Sequence, residues 1–199
     1  MSEIKLFNKW DTSKIKINDP GLNGYIGLKP VIIPKTHGRH RKQFYKSEIS
    51  IVERLINHLY IPGHRGKKHL RSSGRCSGDT MSCLEITKDA FEIIEKKTKM
   101  NPVEVLVRAI ENAALREEIT SFQLGGITAR KAVIASPQRR IDLALRLLVQ
   151  ASYQKATKGG KPMAPVLAEE ILATYKNDAS SSHAIREKER IEREAAGAR

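Results

Sequence analysis

The stretch that decides the fold covers residues 101–152 and reads NPVEVLVRAIENAALREEITSFQLGGITARKAVIASPQRRIDLALRLLVQAS. It begins with Asn101, Pro102 and Glu104, an order typical of a helix start. Asparagine accepts from the free amides of a first turn, proline suits the first helical position, and glutamate can reach back as in a capping box. Apolar residues then recur at helical spacing as far as Ala113. The sequence therefore predicts a helix that begins here.

Two strand-like runs follow this helix, over residues 118–124 and 127–134, and Gly125-Gly126 separates them. A two-residue type I′ turn needs positive φ at both central residues, which glycine adopts readily, so a β-hairpin is predicted over about 118–135. Ser136-Pro137 then opens a second helix, whose apolar residues recur at helical spacing to Ser152. Because an isolated two-stranded ribbon is only marginally stable in water, this one is expected to project from the helices toward a partner.

The rest of the chain is predicted to be mainly α-helical. Apolar residues recur at helical spacing over about 47–60, 80–97 and 162–175, and residues 183–199 alternate basic and acidic side chains as an exposed helix does. The pattern predicts a bundle core of about six helices, with the two-stranded β-hairpin protruding between the third and fourth. Prolines and glycines interrupt residues 1–46, so these are expected to form a partly irregular basic extension of a helical domain over 47–199.

Charge and composition narrow the class of function. The chain is 40% hydrophobic but only 5% aromatic, which favours a helical core of aliphatic residues. Its formal net charge is +14, and an excess of this size favours a polyanionic partner, so nucleic acid is the predicted partner class. No apolar run approaches the ~20 residues that span a bilayer. The N-terminus also lacks the apolar core of a signal peptide, so a soluble cytoplasmic protein is expected.

The positive charge is concentrated between residues 35 and 75, where eleven lysines and arginines face two acids, a net +9. Most of these cations, together with histidines, lie in the two segments that flank the predicted helix over 47–60, an arrangement suited to phosphate binding. The candidate RNA-binding residues of this window are Lys35, His37, Arg39, His40, Arg41, Lys42, Lys46, Arg65, Lys67, Lys68, Arg71 and Arg75.

A second candidate set lies on and after the helix that follows the hairpin. Gln138, Arg139 and Arg140 occupy its first turn, where unpaired amides and the helix dipole favour a phosphate. Arg146 falls on the same stripe, opposite the apolar face, and a solvated charged face is the alternative interpretation of that stripe. A glycine-broken segment adds Lys155 and Lys158 as a third basic group.

The sequence gives less support to two other classes of function, a metal-dependent enzyme and a DNA-binding regulator. A zinc site built from His64, His69, Cys76 and Cys83 would need spacings that match no known zinc pattern, and basic residues lie between these ligands. The sequence contains no nucleotide-binding glycine loop and no distinctive carboxylate pair, so no catalytic activity, metal or cofactor is expected. A helix-turn-helix DNA reader needs two helices joined by a short turn, whereas here a hairpin of about twenty residues separates them. Folded RNA, recognised by shape and phosphates, fits better.

Several stretches together resemble ribosomal protein seven of the small subunit. They are Asn101-Pro102 with Ala109-Ile110-Glu111-Asn112, the Gly125-Gly126 turn, Ser136-Pro137-Gln138-Arg139-Arg140, Ile51-Val52-Glu53-Arg54-Leu55 and Leu167-Ala168-Glu169-Glu170-Ile171. The resemblance covers about residues 46–193. Residues Leu6-Phe7-Asn8-Lys9-Trp10 are similar to the archaeal and eukaryotic branch of this family.

The resemblance implies a helical fold with a protruding ribbon that binds the 3′ major domain of small-subunit rRNA, nucleates head assembly and takes part in translation. It implies that rRNA is held by the basic segment before the first helix, by the loop after it and by the helix start at Arg139 and Arg140. It also implies small-subunit ribosomal proteins nine and eleven as neighbours of a monomer within the subunit, and no membrane.

The hairpin tip is implied to lie near exit-site tRNA and mRNA. The tip-proximal candidates are Leu124, Gly125, Gly126, Ile127 and Arg130. Bacterial ribbons of the family are strongly basic, whereas residues 120–128 here carry no charge. Contact by this tip is therefore expected to rest on shape, backbone and apolar groups.

Overall fold

The computed structural model describes residues 4–36, 38, 42–65, 68, 69 and 78–199; of residues 64, 65, 68 and 69 only the backbone is described, and likewise of residue 124. The described elements, in chain order, are α1 (Tyr45–Glu48), α2 (Ile51–Leu59), β1 (His64–Arg65), β2 (Lys68–His69), α3 (Thr80–Thr98), α4 (Pro102–Ala113), β3 (Glu117–Leu124), β4 (Ile127–Ile134), α5 (Pro137–Gly159), α6 (Met163–Tyr175) and α7 (His183–Ala196).

The mainly helical prediction is confirmed, with the long hairpin between α4 and α5. Six of the seven described helices correspond to the predicted ones, and α1 is a single additional turn. The first predicted helix begins later than expected, at Ile51, because the backbone is extended at Ile49 and Ser50. There the N-terminal segment crosses so closely that a Cβ on Gly27 would lie 2.1 Å from the Ile49 carbonyl oxygen. The Ile51 amide donates to Gly27 at 2.9 Å, which fixes the start of α2.

The predicted start of α4 is confirmed in its cap. The Asn101 side chain accepts from the Val103 amide at 3.0 Å, and Pro102 takes the first helical position. Helix α5 begins with Pro137 in the same position, but the Ser136 hydroxyl makes no capping hydrogen bond. The first turn of α5 therefore keeps amides that its own cap does not satisfy.

The core lies between α4, α5 and α6, with α2, α3 and α7 packed around them. Its centre is aliphatic and fully buried, as at Leu106, Leu145 and Leu167. The N-terminal segment enters the same core: the Trp10 ring packs edge-to-face on Phe91 with centroids 5.7 Å apart. Residues 4–36 contain no helix, yet they are part of the packed structure.

The ribbon of β3 and β4 is antiparallel and closes at the predicted glycine turn. Leu124 pairs with Ile127 at the tip and Glu117 with Ile134 at the base, and φ is +53° at Gly125 and +89° at Gly126. Helix α7 packs against the base of the ribbon: Glu192 accepts from the Arg116 amide, and Arg199 donates to Glu117 at 2.6 Å. Among the described residues, no helix is long and apolar enough to cross a membrane.

Candidate nucleic-acid interface

Both arginines in the first turn of α5 are held by acids of the same chain. Arg139 donates to Glu118 at the base of the ribbon, and this hydrogen bond raises the pKa of the guanidinium. Arg140 donates to Asp19 at 2.7 Å and to the Leu115 carbonyl at 3.2 Å. The Arg139 side chain is 55% exposed and that of Arg140 only 13% exposed. Arg139 is accessible to a phosphate, whereas Arg140 ties the N-terminal segment to α5.

One turn further along α5, three basic side chains surround Asp142. We call Asp142 together with Lys46, Arg54 and His58 the Asp142 cluster. Arg54 donates to Asp142 at 2.9 Å, the Lys46 amine is bound to its other oxygen, and the His58 ring nitrogen lies 3.9 Å away. Burial raises the pKa of Asp142, but the hydrogen bonds from His58, Lys46 and Arg54 outweigh it and hold the pKa well below its ordinary value. Arg54 is buried, so this carboxylate neutralises a charge inside the fold.

Gln138 belongs to the edge of the same cluster. Its amide nitrogen donates to the Ser47 hydroxyl, and its oxygen lies 3.4 Å from the Arg54 guanidinium. Gln138 therefore links the start of α5 to the segment before α2 and is half-buried. Its contacts are those of a residue that joins two elements.

Lys155 near the end of α5 is also held internally. Its amine is paired with Glu170, whose side chain is fully buried, and it donates to the Ser181 carbonyl at 2.8 Å. Glu170 also accepts from the Ser182 hydroxyl and from the amide of His183 at the start of α7. Lys155 therefore lies in the junction of α5, α6 and α7.

Other predicted residues are exposed and carry no carboxylate of their own. Among the residues that the structure describes, Lys35, Arg146 and Lys158 are exposed and form no ion pair. Lys42 is exposed, with its amine 6.0 Å from the centre of the Tyr45 ring. These four cations are available to an anionic partner without loss of an intramolecular pair.

The structure describes only some residues of the basic segments that are predicted to hold rRNA. His37, Arg39, His40, Arg41, Lys67, Arg71 and Arg75 lie outside the described residues. The backbones of Arg65 and Lys68 pair with each other across β1 and β2.

The tip of the ribbon is apolar and open to solvent. Ile127 is 74% exposed and Phe122 is 40% exposed, and Arg130 further along β4 is also exposed. Gly125, Gly126 and Ile127 lie at the end of the arm, and Arg130, paired with Ser121, lies three positions back along β4 on the other face of the ribbon; the side chain of Leu124 is not described.

Two of the cavities formed by the described residues are lined in part by α5. One, of about 750 Å³, lies between the N-terminal segment, α4 and the base of the ribbon, and its lining includes Asp19, Glu111 and Arg140. The other, of about 430 Å³, lies between the end of α2 and the middle of α5. We call the second one the Arg146 cavity; its lining includes Asn57, His58, Tyr60, Ile61, Arg146 and Gln150.

The chain was compared with known protein families and with known proteins. Residues 23–199 match the model of the ribosomal protein S7p/S5e family. The chain belongs to this family. Small ribosomal subunit protein uS7 of Nanoarchaeum equitans is 46% identical over 198 residues, which cover 99% of this chain and 100% of that relative. The same-named proteins of Methanococcus aeolicus and Archaeoglobus fulgidus are 44% and 45% identical, each over 99% of this chain, and over 100% and 96% of their own lengths.

Membership of the S7p/S5e family confirms the resemblance predicted from the sequence, including its archaeal character. Proteins of this family are ribosomal and non-enzymatic, which confirms that the chain is not an enzyme. For the alternative zinc site, Cys83 is buried in the core and Cys76 lies outside the described residues. Within the described part of the chain, no group of three or more potential ligands comes together.

Sequence reasoning missed the acids that hold the predicted cations. Asp142 lies between Arg139 and Arg146 on the charged stripe and Glu118 begins the first strand-like run, yet Asp142 binds Lys46 and Glu118 binds Arg139. Arg54 was counted with the basic window but is buried on α2. The available signal was its position between Val52 and Leu55, because a charge inside an apolar stretch requires a partner. Which carboxylate supplies that partner is not encoded locally.

Proposed function

We propose that this chain is a structural constituent of the small ribosomal subunit that binds the 3′ major domain of its rRNA and nucleates assembly of the head. The observation that carries the proposal is the family match over residues 23–199, on a chain with a net charge of +14. The relatives are named as small ribosomal subunit proteins, and the chain aligns with the whole length of two of them.

The distribution of exposed cations supports rRNA binding. Lys35, Lys42, Arg146 and Lys158 are exposed and meet no carboxylate in the part of the chain that the structure describes, and Arg139 is accessible in its ion pair with Glu118. Phosphate contacts of this kind position a protein on folded RNA, and they are made by separate basic segments around a rigid core. Arg140, Gln138 and Lys155 contribute by fixing those segments in place.

The ribbon is proposed to reach toward exit-site tRNA and mRNA on the intersubunit side. Its tip is uncharged over residues 120–128, and Ile127 and Phe122 are exposed there. An apolar tip offers shape and stacking instead of electrostatic attraction. The proposed protein neighbours are small-subunit ribosomal proteins nine and eleven, with a single copy of this chain per subunit.

The test is binding of the purified protein to an rRNA fragment that contains the 3′ major domain. Log affinity is expected to fall by ~0.7–0.9 per phosphate contact for each unit of log salt. Arg139→Glu should weaken binding several-fold, because it reverses an exposed charge at the start of α5. Arg193→Glu, at an exposed position of α7, is the matched control for net charge. Equal losses in the two variants would contradict the assignment of that helix start.

Two further measurements test the function as a whole. Sedimentation of cell extract on a sucrose gradient should place the protein with the small subunit. Recovery only in the free soluble fractions would overturn the proposal. In competition, the rRNA fragment should displace duplex DNA, and the reverse preference would favour a DNA-binding regulator instead.

A further inference from the structure

The Arg146 cavity has the composition of a site for an anion that carries a flat ring. Its volume of about 430 Å³ lies in the range of about 300–1,000 Å³ that holds a single small ligand. Val149 and Pro62 form an apolar part of the lining and are themselves buried. Asn57 and Gln150 bring side-chain amides to the same cavity, and Arg146 brings a guanidinium.

The described lining of the Arg146 cavity contains no acid, whereas that of the other cavity contains two. Asp19 and Glu111 line the larger cavity, where both are engaged by the chain: Asp19 by Arg140, and Glu111 by Arg108. The Asp142 carboxylate lies 3.9 Å from the ring nitrogen of His58, which lines the Arg146 cavity. Because Asp142 is already bound by Lys46 and Arg54, it contributes little net negative charge to the opening. The cavity is therefore electrostatically open to a phosphate.

Two polar side chains at the opening, those of Arg146 and Asn57, are also available. Arg146 is exposed and forms no ion pair among the described residues, and Asn57 is exposed on α2. Ile61 is 62% exposed beside them, as an apolar surface that nothing in the described chain covers. An apolar face, amide groups and a free guanidinium match the three parts of a nucleotide: the face of the base, its hydrogen-bonding edge and its phosphate.

We propose that the Arg146 cavity receives one unstacked nucleotide of the rRNA. This inference rests on the proposed rRNA-binding function and names a site within it. The base lies against Ile61, the amide of Asn57 binds the base edge, and Arg146 binds a flanking phosphate. RNA that is recognised by sequence presents such splayed bases in loops and bulges.

The position of the cavity agrees with this occupant. Its lining includes Tyr60, Ile61 and Pro62, which directly follow α2 and lead into the basic segment that contains Arg65, Lys67 and Lys68. RNA bound next to the end of α2, where that segment begins, would therefore reach the mouth of the cavity. A base inserted here adds contact with base atoms to a surface that otherwise offers contact with phosphates.

The test fills the cavity and measures RNA binding by the full chain. Asn57→Trp places a large ring at the opening, whereas Asn57→Ala keeps the cavity empty and removes only the amide. Asn57→Trp should weaken binding of the 3′ major domain fragment by about tenfold, the order expected for the loss of one base contact. Chemical probing of base edges should show one nucleotide that wild type protects, that Asn57→Ala protects only in part because the amide is gone, and that Asn57→Trp leaves fully reactive.

A second variant tests the phosphate contact without a bulky side chain. Arg146→Ala should lower the slope of log affinity against log salt by about 0.7–0.9, the value for one phosphate. Arg186→Ala, at an exposed position on α7, is the matched control and should leave the slope unchanged. Melting temperatures equal to wild type show that the variants are folded.

The outcomes separate this inference from the proposed function. If wild type binds the fragment but Asn57→Trp and Arg146→Ala bind it equally well with the same protected nucleotides, the nucleotide site is overturned and rRNA binding stands. If wild type itself does not bind the fragment, both proposals fail. Loss of binding in Arg146→Ala alone, with no nucleotide exposed by Asn57→Trp, would reduce the site to a phosphate contact and overturn insertion of a base.

Discussion

The first two turns of α5 and the middle of the same helix both carry arginines, but those arginines have different neighbours. Arg139 and Arg140 are bound by Glu118 and Asp19, and Asp142 binds Lys46 and Arg54 from other elements. Arg146, less than two turns further on, is exposed beside an open cavity with no ion pair among the described residues. One helix therefore uses its charges in two ways: its start joins elements of the fold, and its middle is open to a partner.

The difference shows that a basic residue is not equivalent to a binding residue. A guanidinium that is paired with a carboxylate must break that ion pair before it can bind a phosphate. An unpaired guanidinium gives up only its bound water molecules. Burial then decides how much stability depends on the pair. The Arg54 side chain is 1% exposed, that of Arg140 is 13% exposed and that of Arg139 is 55% exposed.

The largest expected effect is on stability, at the Asp142 cluster. Asp142→Asn leaves the buried Arg54 guanidinium without a carboxylate, and breaking a buried pair costs about 3–5 kcal/mol. Denaturant unfolding of the RNA-free protein should show this loss. Glu189→Gln, at an exposed position of α7, is the charge-matched control and should change the free energy of unfolding by less than about 0.5 kcal/mol. Similar values for both variants would show that the Asp142 cluster does not stabilise the fold.

The stability difference between wild type and Asp142→Asn should also depend on pH. The pKa of Asp142 is depressed in the fold, so its contribution to stability is present above its ordinary value of 3.8 and is lost as the pH falls toward the folded-state pKa. The difference in free energy of unfolding between wild type and Asp142→Asn should therefore shrink as the pH drops below 3.8. A difference that stays constant across this window would contradict the assigned role of the carboxylate.

A smaller effect on stability separates Arg140 from Arg146. Arg140→Ala removes two hydrogen bonds of a mostly buried guanidinium, to Asp19 and to Leu115, and should lower the free energy of unfolding by about 1–3 kcal/mol. Arg146→Ala removes an equal charge from the exposed part of the same helix and should cost less than about 0.5 kcal/mol. Thermal unfolding of both variants without RNA checks this. Equal destabilisation would remove the distinction between the two parts of α5.

The smallest expected effect is on RNA affinity, at the exposed ion pair between Arg139 and Glu118. Glu118→Gln releases Arg139 from its carboxylate, so a phosphate no longer competes with Glu118, and affinity for the rRNA fragment should rise about two- to fivefold, in line with the small free energy of a surface pair. Glu194→Gln, which removes one of the two carboxylates that bind Arg190 on α7, is the control for removal of one negative charge. A fall in affinity for Glu118→Gln would mean that Glu118 holds Arg139 in position for RNA instead of competing for it.

The sequence alone determined the order of the helices, the position of the hairpin and the basic character of the chain. These features depend on residues close together in the chain: two adjacent glycines at the ribbon tip, Asn101-Pro102 at the start of α4, and apolar residues at helical spacing. They also carried the resemblance to the S7p/S5e family.

The tertiary structure decided which cations are available, because their partners lie far away in the chain. Arg140 meets Asp19 across 121 positions and Arg54 meets Asp142 across 88, and no local pattern encodes either pair. The start of α2 depends on a contact of the same kind, where Gly27 crosses Ile49 too closely for any side chain. The Arg146 cavity also exists only because α2 packs beside the middle of α5, which brings Asn57 and Arg146 to one opening.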